Sequence, residues 1–393
     1  MAIEPSRRVQ SIGGYAFAEV DKLVADLKAR DVDVIDFGVG DPTIPTPALI
    51  REACKTALDA RASAGYPSYI GQAEFRAAAA DWIGRRFGVA LDPEVQVTST
   101  IGSKEAVFHF HEGFVDPGDV VIVPTPGYPP YARGTLFAEG ESFFVPLTPD
   151  AGFLPDLDAI PADVRRRAKV MWINYPNSPS GTTAPAAFFE RVIAFAREHD
   201  IIIASDEAYV DIYYGDEPPH SILEHATDGV VAFFSLSKRS AMTGWRVGFA
   251  AGDADIVGVL RKVKTNIDSG TPQFIQDAAI AALADETHVT EMRDDYHRKR
   301  DVICDALAGI GLPDCRPEAT LYVWQRVPDG MTSADFAKAL LAEDVAVVVT
   351  PGAWISNETA DGLNPGEGYV RLALVPSLDR TREAAERLRN LSL

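Results

Sequence analysis

The sequence predicts an α/β fold: a mostly parallel sheet covered by helices on both faces, accompanied by a smaller α+β domain. Three observations predict it. Between about Val95 and Ala251, short and almost wholly apolar runs alternate with segments of helical periodicity, the pattern of strands buried on both faces. These runs end in small or polar residues, where open α/β sheets keep their sites. Past about Asp285 the pattern changes to long charged helices and shorter strands. The expected division is a segment 1–46 packing with the smaller domain, a large domain 47–285 and a small domain 286–393.

In chain order, Phe17, Val20, Leu23, Val24 and Leu27 recur at helical spacing within Tyr15 to Arg30, with charges between them, and predict an amphipathic helix. Val34 to Phe37 reads as a short strand, and Gly38-Val39-Gly40-Asp41-Pro42 as an irregular loop. A helix over Pro47 to Ala60 tolerates its proline in the first turn. Tyr66 to Gly71 is a turn-rich loop before another helix. Val95 to Thr98 is a strand running into Ile101 to Ala106, a small-residue turn that opens a helix and offers free N–H groups to an anion. Strands follow at Val120 to Val123, stopped by Pro124, at Val170 to Ile173, and at Ile201 to Ala204, which delivers Ser205-Asp206-Glu207-Ala208-Tyr209. Phe188 to His199 is a helix. Val230 to Phe234 and Val247 to Ala251 complete the apolar series. Thr287 to Leu307 is a long helix, with strands at Tyr322 to Trp324, Val345 to Val349 and Tyr369 to Leu374.

The 393 residues can bury a large core. The formal net charge of -20 opposes nucleic-acid and anionic-membrane partners. Cys54, Cys304 and Cys315 show no C-x-x-C spacing, so neither a disulfide framework nor a zinc site is suggested, and the scattered histidines call for no metal. The longest apolar runs are only strand-length, and a cytoplasmic protein without a membrane span is expected.

The run Ser235-Leu236-Ser237-Lys238, followed by Gly244 and Arg246, combines hydroxyl donors, a forked cation and one amine at a strand end. That set suits a doubly charged phosphate with a reactive amine beside it. With Asp206, Asn177, Tyr128 and Arg371, the stretch resembles the lysine signature of the class I and II aminotransferases of fold type I, and the resemblance runs from Tyr15 to Leu374. It implies pyridoxal 5′-phosphate bonded to Lys238, which would also move the substrate's proton, and Asp206 paired with the ring nitrogen. It places Asn177 and Tyr209 on the ring's phenolic oxygen and Tyr128 on the ring face. The phosphate would lie among Gly102, Ser103, Lys104, Ser235, Ser237 and Arg246, with Tyr66 reaching in from a second subunit of a homodimer. Arg371, helped by Gly40, would grip the substrate carboxylate, and the far end would be met by loop backbone, by a tyrosine such as Tyr15 or by the stretch Trp354 to Pro365.

Singly, Asp206 could cap a helix, Tyr128 could be core, Asn177 could hold a turn and Arg371 could be a strand-edge charge. Together at one sheet edge they converge on one site. The family's Asn-Pro-Thr-Gly is Ser178-Pro179-Ser180-Gly181 here, and the stretch Trp354 to Pro365 is longer than the resemblance leads one to expect. Within the family, Tyr15 to Asp21, Val34 to Pro42 and Ala319 to Trp324 are most similar to the LL-diaminopimelate or N-succinyl-diaminopimelate aminotransferase branch. That implies a diaminopimelate-type substrate exchanging with glutamate and 2-oxoglutarate in lysine biosynthesis. Alanine or aspartate aminotransferases, a lyase acting at Cβ and a non-catalytic regulator domain share the fold; the acidity opposes the last of these.

Overall fold

A computed structural model describes residues 3–13, 18–42 and 44–391. Tyr15 therefore lies outside the described residues. In chain order the strands are β1 (Ile35–Asp36), β2 (Val97–Thr100), β3 (Val120–Thr125), β4 (Glu141–Pro146), β5 (Ala168–Ile173), β6 (Ile202–Asp206), β7 (Val230–Ser235), β8 (Gly248–Gly252), β9 (Tyr322–Arg326), β10 (Val347–Val348), β11 (Thr350–Pro351) and β12 (Tyr369–Ala373).

Seven of them make one sheet in the order β2-β8-β7-β6-β5-β3-β4. The pairings β3–β4, β3–β5, β5–β6 and β6–β7 are parallel, while β8 runs antiparallel to both β2 and β7. The link from β7 to β8 carries only a one-turn helix, Leu236–Arg239, and a 3-10 turn, Thr243–Trp245. With no covering helix in that link, the chain returns directly beside β7 in the opposite sense.

Both faces of the sheet are covered, as the apolar runs require. On one side Phe234 and Phe249 pack under Trp82, with helices Ala73–Phe87, Ala186–His199 and Gln273–Ala284 contributing to the same cluster. On the other side Phe233 and Trp172 meet Phe110, below helix Ala254–Lys264.

Three local expectations shift. The first strand of this sheet runs from Val97 to Thr100, two residues later than the sequence suggests, and Val95 is 46% exposed. Pro124 does not stop β3, which continues to Thr125. β5 pairs β3 only at Val120 to Ile122, so the N–H that proline lacks has no ladder partner to lose on that side. The edge strand β4 was not anticipated: Glu141-Ser142-Phe143-Phe144 alternates weakly and only Val145 is fully buried.

Residues after Asp285 build a three-stranded antiparallel sheet, β11-β12-β9, beside the parallel pair β1–β10. Its core joins Tyr296 and Ile303 of helix Thr287–Gly309 to Val323, Val347 and Leu372. Val20 and Leu27 of the N-terminal helix, Ala18–Ala29, pack with Leu341 and Val348. Among the described residues, no helix is long and apolar enough to cross a membrane.

Candidate active site

A cavity of about 600 Å³ lies between the C-terminal ends of the parallel strands and the smaller sheet. Asn174 follows β5, Asp206 ends β6, Ser235 ends β7, Tyr322 begins β9, Arg371 sits on β12 and Gly40 follows β1; all line its wall.

Lys238 stands on the one-turn helix that follows β7. Ser235 caps that helix, its hydroxyl accepting the Ser237 N–H at 3.2 Å. The next two residues pin the turn: Arg239 is bound to Asp211 at 2.7 Å and Glu286 at 2.6 Å, and Ser240 lies 2.9 Å from His288 Nε2. Lys238 Nζ donates to the Gly40 carbonyl. Burial lowers the lysine's pKa by penalising its charged form.

Asp206 is 4% exposed. Burial pushes its carboxyl up to about 6, against hydrogen bonds from the Tyr131 hydroxyl at 2.8 Å and the Ala208 N–H at 3.4 Å. Tyr131 stacks on Trp172 at 4.6 Å, and the Trp172 indole donates to His111 Nε2 at 2.9 Å. Burial holds His111 neutral, its pKa lowered to about 4, so Nε2 can accept while Nδ1 faces the Phe108 carbonyl at 3.1 Å.

One end of the cavity is built for an anion. Ser103 and Lys104 open helix Ser103–His109, leaving backbone N–H groups free, with Ser235, Ser237 and Arg246 in the same wall. Gly102 has φ +66°, and a Cβ there would lie 2.2 Å from Arg246 Nη2, so only glycine lets the arginine come so close. Arg246 is steadied by the carbonyls of Thr243 at 2.9 Å and Ile101 at 3.4 Å.

The other cationic group is Arg371, whose Nη2 donates to the Gly38 carbonyl at 3.0 Å and whose guanidinium lies 4.6 Å over the Tyr322 ring. Its Nε is buried and has no partner among the described residues. Tyr322 and Tyr209 bring their hydroxyls to 3.3 Å, and burial raises the Tyr209 pKa well above its ordinary value.

The structure thus gathers Lys238, Asp206, Tyr209, Ser103, Lys104, Tyr128, Ser235, Ser237, Arg246, Arg371 and Gly40 on one cavity, with Gly102 beneath Arg246. Asn177 is a correction. Its side chain is turned into its own loop, where Oδ1 accepts from the Ser180 hydroxyl at 2.7 Å and Nδ2 donates to the Asn174 carbonyl at 3.3 Å. The loop closes on itself through the Asn177 N–H to Thr182 and the Gly181 N–H to Asn177, and this turns Ser178 to the cavity instead. Tyr66 is 90% exposed and absent from this wall. Trp354 to Pro365 also contributes nothing to it; Asn357 instead exchanges two hydrogen bonds with the Thr125 hydroxyl, at 2.9 and 2.8 Å.

Sequence reasoning missed Asp41, Tyr131, Asn174, Ser178 and Tyr322. The signals were present. Tyr131 stands three residues beyond Tyr128, which caps the helix that carries Tyr131, and Asn174 opens the same Asn-Tyr-Pro-Asn run as Asn177.

These residues fit pyridoxal 5′-phosphate. The glycine-dependent approach of Arg246 and the free helix N–H groups suit its phosphate, the buried Asp206 suits a protonated ring nitrogen, and Lys238 suits its carbonyl carbon. The unpartnered Nε of Arg371 awaits an acceptor such as a carboxylate.

The family model "Aminotransferase class I and II" matches residues 32–388. A Syntrophobacter fumaroxidans protein named LL-diaminopimelate aminotransferase is 49% identical over the full length of both chains. An Aquifex aeolicus protein of the same name is 46% identical over 99% of this chain and all of its own. Among solved structures, a single mutant of the Thermus thermophilus aspartate aminotransferase superposes with a TM-score of 0.90 at 30% identity, each chain fully covered. Fold, cavity and full-length similarity agree, and the chain belongs to the class I and II aminotransferases, as an enzyme that uses pyridoxal phosphate to move amino groups between amino acids and 2-oxo acids.

Proposed function

We propose that the enzyme is an LL-diaminopimelate aminotransferase of lysine biosynthesis, exchanging with glutamate and 2-oxoglutarate, and that it works in the cytoplasm as a homodimer. The observation that carries the substrate is the 49% identity, across both whole chains, to a protein of that name. The cavity agrees with it in character: Asp41, Ser178 and Thr243 make its wall polar, which suits a substrate with a second polar end. We read residues 47–285 as the large domain and 286–393, with the segment 1–46, as the small one.

When bound, pyridoxal phosphate supplies a reactive carbonyl carbon and a ring that accepts electrons. Lys238 would hold it, and its amine would serve as the base that takes the proton from the substrate Cα. Its burial favours the neutral amine that such a base must be. Asp206 keeps the ring nitrogen's proton in place. Arg246, Ser235, Ser237 and the N–H groups of Ser103 and Lys104 would bind the phosphate, and the partner's copy of Tyr66 would complete that set, since this chain's Tyr66 is exposed and does not line its own cavity. Tyr128, in the same wall, would cover the ring's face. Tyr209 donates to the phenolic oxygen, and Ser178 takes the cavity position that Asn177 leaves. Arg371 forks onto the substrate α-carboxylate beside Gly40.

Two measurements test this reading. Borohydride reduction and peptide mapping should place the cofactor on Lys238; an adduct on another lysine overturns the site. LL-diaminopimelate should give a higher kcat/KM than alanine or aspartate. If either of those wins by about tenfold, roughly 1.4 kcal/mol of transition-state preference, the substrate assignment fails while the aminotransferase stands.

A further inference from the structure

Lys264 lies outside the cavity wall, yet its amine is completely buried at the C-terminal end of helix Ala254–Lys264. A buried ammonium is costly unless paired, so its partners define its purpose. It has two. Nζ lies 3.2 Å from Glu105 Oε2 and 2.6 Å from Asp268 Oδ2.

Each carboxylate leads to a different loop. The same Oε2 of Glu105 accepts the Ile101 N–H at 3.1 Å, fixing the turn whose carbonyl receives Arg246 and whose next residues open the anion site. The other oxygen, Asp268 Oδ1, accepts the Gly270 N–H at 2.6 Å. Gly270 has φ +86°, and a Cβ there would lie 2.4 Å from the Ser68 carbonyl oxygen, so its backbone abuts the loop that carries Tyr66. The neighbouring residues continue the clamp: the Ser99 N–H donates to the Ile70 carbonyl at 2.9 Å, and the Thr271 hydroxyl to the Thr100 carbonyl at 3.1 Å.

We infer that Lys264 is a positioning residue that locks the phosphate-binding turn of its own subunit to the loop that presents Tyr66 to the partner subunit. The inference rests on the reading that Tyr66 crosses between subunits. It follows that the two arms act on different sites: the Glu105 arm serves the phosphate in cis, and the Asp268 arm serves it in trans.

Mixed dimers separate the arms. One subunit carries Lys238→Ala and cannot bond the cofactor, so the visible band of lysine-bound pyridoxal phosphate reports only the intact subunit's site, whose Tyr66 comes from the blind one. Asp268→Ala in the blind subunit should raise the half-saturating pyridoxal phosphate concentration at the intact site by about 5–10-fold, the scale of one ordinary lost hydrogen bond, and should do nothing when placed in the intact subunit. Glu105→Ala should behave in the opposite way. Lys264→Met should act from either subunit; where it fails to fold, the two alanine variants carry the test. Asp268→Ala acting only in cis, or nowhere, overturns the inference. Tyr66→Phe in the blind subunit is the control: if it weakens the intact site and Asp268→Ala does not, only the role of Lys264 falls. If Tyr66→Phe has no effect, the crossing of Tyr66 falls and this inference with it.

Discussion

The Tyr131 hydroxyl donates to Asp206 Oδ2 at 2.8 Å, and it does so from a ring stacked on Trp172 at 4.6 Å. The carboxylate is thereby aimed by a side chain that is itself wholly buried and held from behind. Burial raises the Asp206 pKa, and this hydrogen bond opposes the rise by favouring the ionised form.

Tyr131→Phe should therefore lower kcat while leaving the cofactor bound. A buried hydrogen bond to a charged group contributes about 1.5–3 kcal/mol, so the expected loss is roughly 10–100-fold. Steady-state kinetics beside the cofactor's absorbance would show it. Unchanged kcat would mean that Asp206 needs no orienting partner.

Asp206→Asn should separate catalysis from stability. The folded carboxyl's pKa, about 6, lies above its ordinary value of 3.8, so the stability this group allows is fully present below pH 4 and is lost as pH rises to about 6. Without cofactor, the variant should match the wild type near pH 4 and exceed it above pH 6 by on the order of 3 kcal/mol. With cofactor, turnover should fall at least a hundredfold, the scale of losing a buried charged partner. Thermal melts of the apoenzyme across pH, compared with turnover, check both halves.

The exchange of Asn177 for Ser178 at the cavity gives opposite expectations for neighbouring residues. Asn177→Ala should cost about 1–3 kcal/mol of stability, because the buried Ser180 hydroxyl loses its acceptor. Ser178→Ala should leave the melting temperature nearly unchanged and shift the pH at which the bound cofactor changes colour. Titrating the visible band of both variants would decide whether the serine touches the ring.

Gly40→Ala should disable substrate binding. The new Cβ would sit 2.0 Å from the Tyr322 hydroxyl, and Tyr322 is held between Tyr209 and the guanidinium of Arg371. Displacing the tyrosine should lower kcat/KM by about a hundredfold or more, since small misplacements of a binding group are amplified in this way. Adding Tyr322→Ala should recover part of the loss, and kinetics of the double variant would test that.

Much of the fold was legible because strands buried on both faces leave uninterrupted apolar runs, as Val230 to Phe234 does. The weakly alternating β4 was not, since an edge strand needs no such run. The reversal of β8 was hidden because an apolar run has no direction written in it. In the site, Lys238 and Arg246 could be read from the spacing of their stretch, whereas Asp206 and Arg371 followed only from the resemblance to the aminotransferases. The tyrosines and asparagines could not be sorted: Asn177 and Ser178 are neighbours, and only the closure of their loop, through backbone bonds to Thr182 and Gly181, decides which one faces inward. Lys264 gave no signal at all, because a lysine at a helix end looks like any solvated charge until its burial is seen.

The pairing of β1 with β10 fixes the order in which the molecule can assemble during synthesis. Gly38 accepts a hydrogen bond from Thr350, 312 residues further along, and Ile35 and Phe37 are almost wholly buried in the core that the late residues complete. At ribosomal speeds of roughly 5–20 residues per second, about 15–60 s pass between the emergence of these partners. The seven-stranded sheet, finished by Gly252, can close long before then. For that interval the segment around Ile35 and Phe37 lacks the partners that bury it, and its apolar side chains stay open to a chaperone or to misassociation.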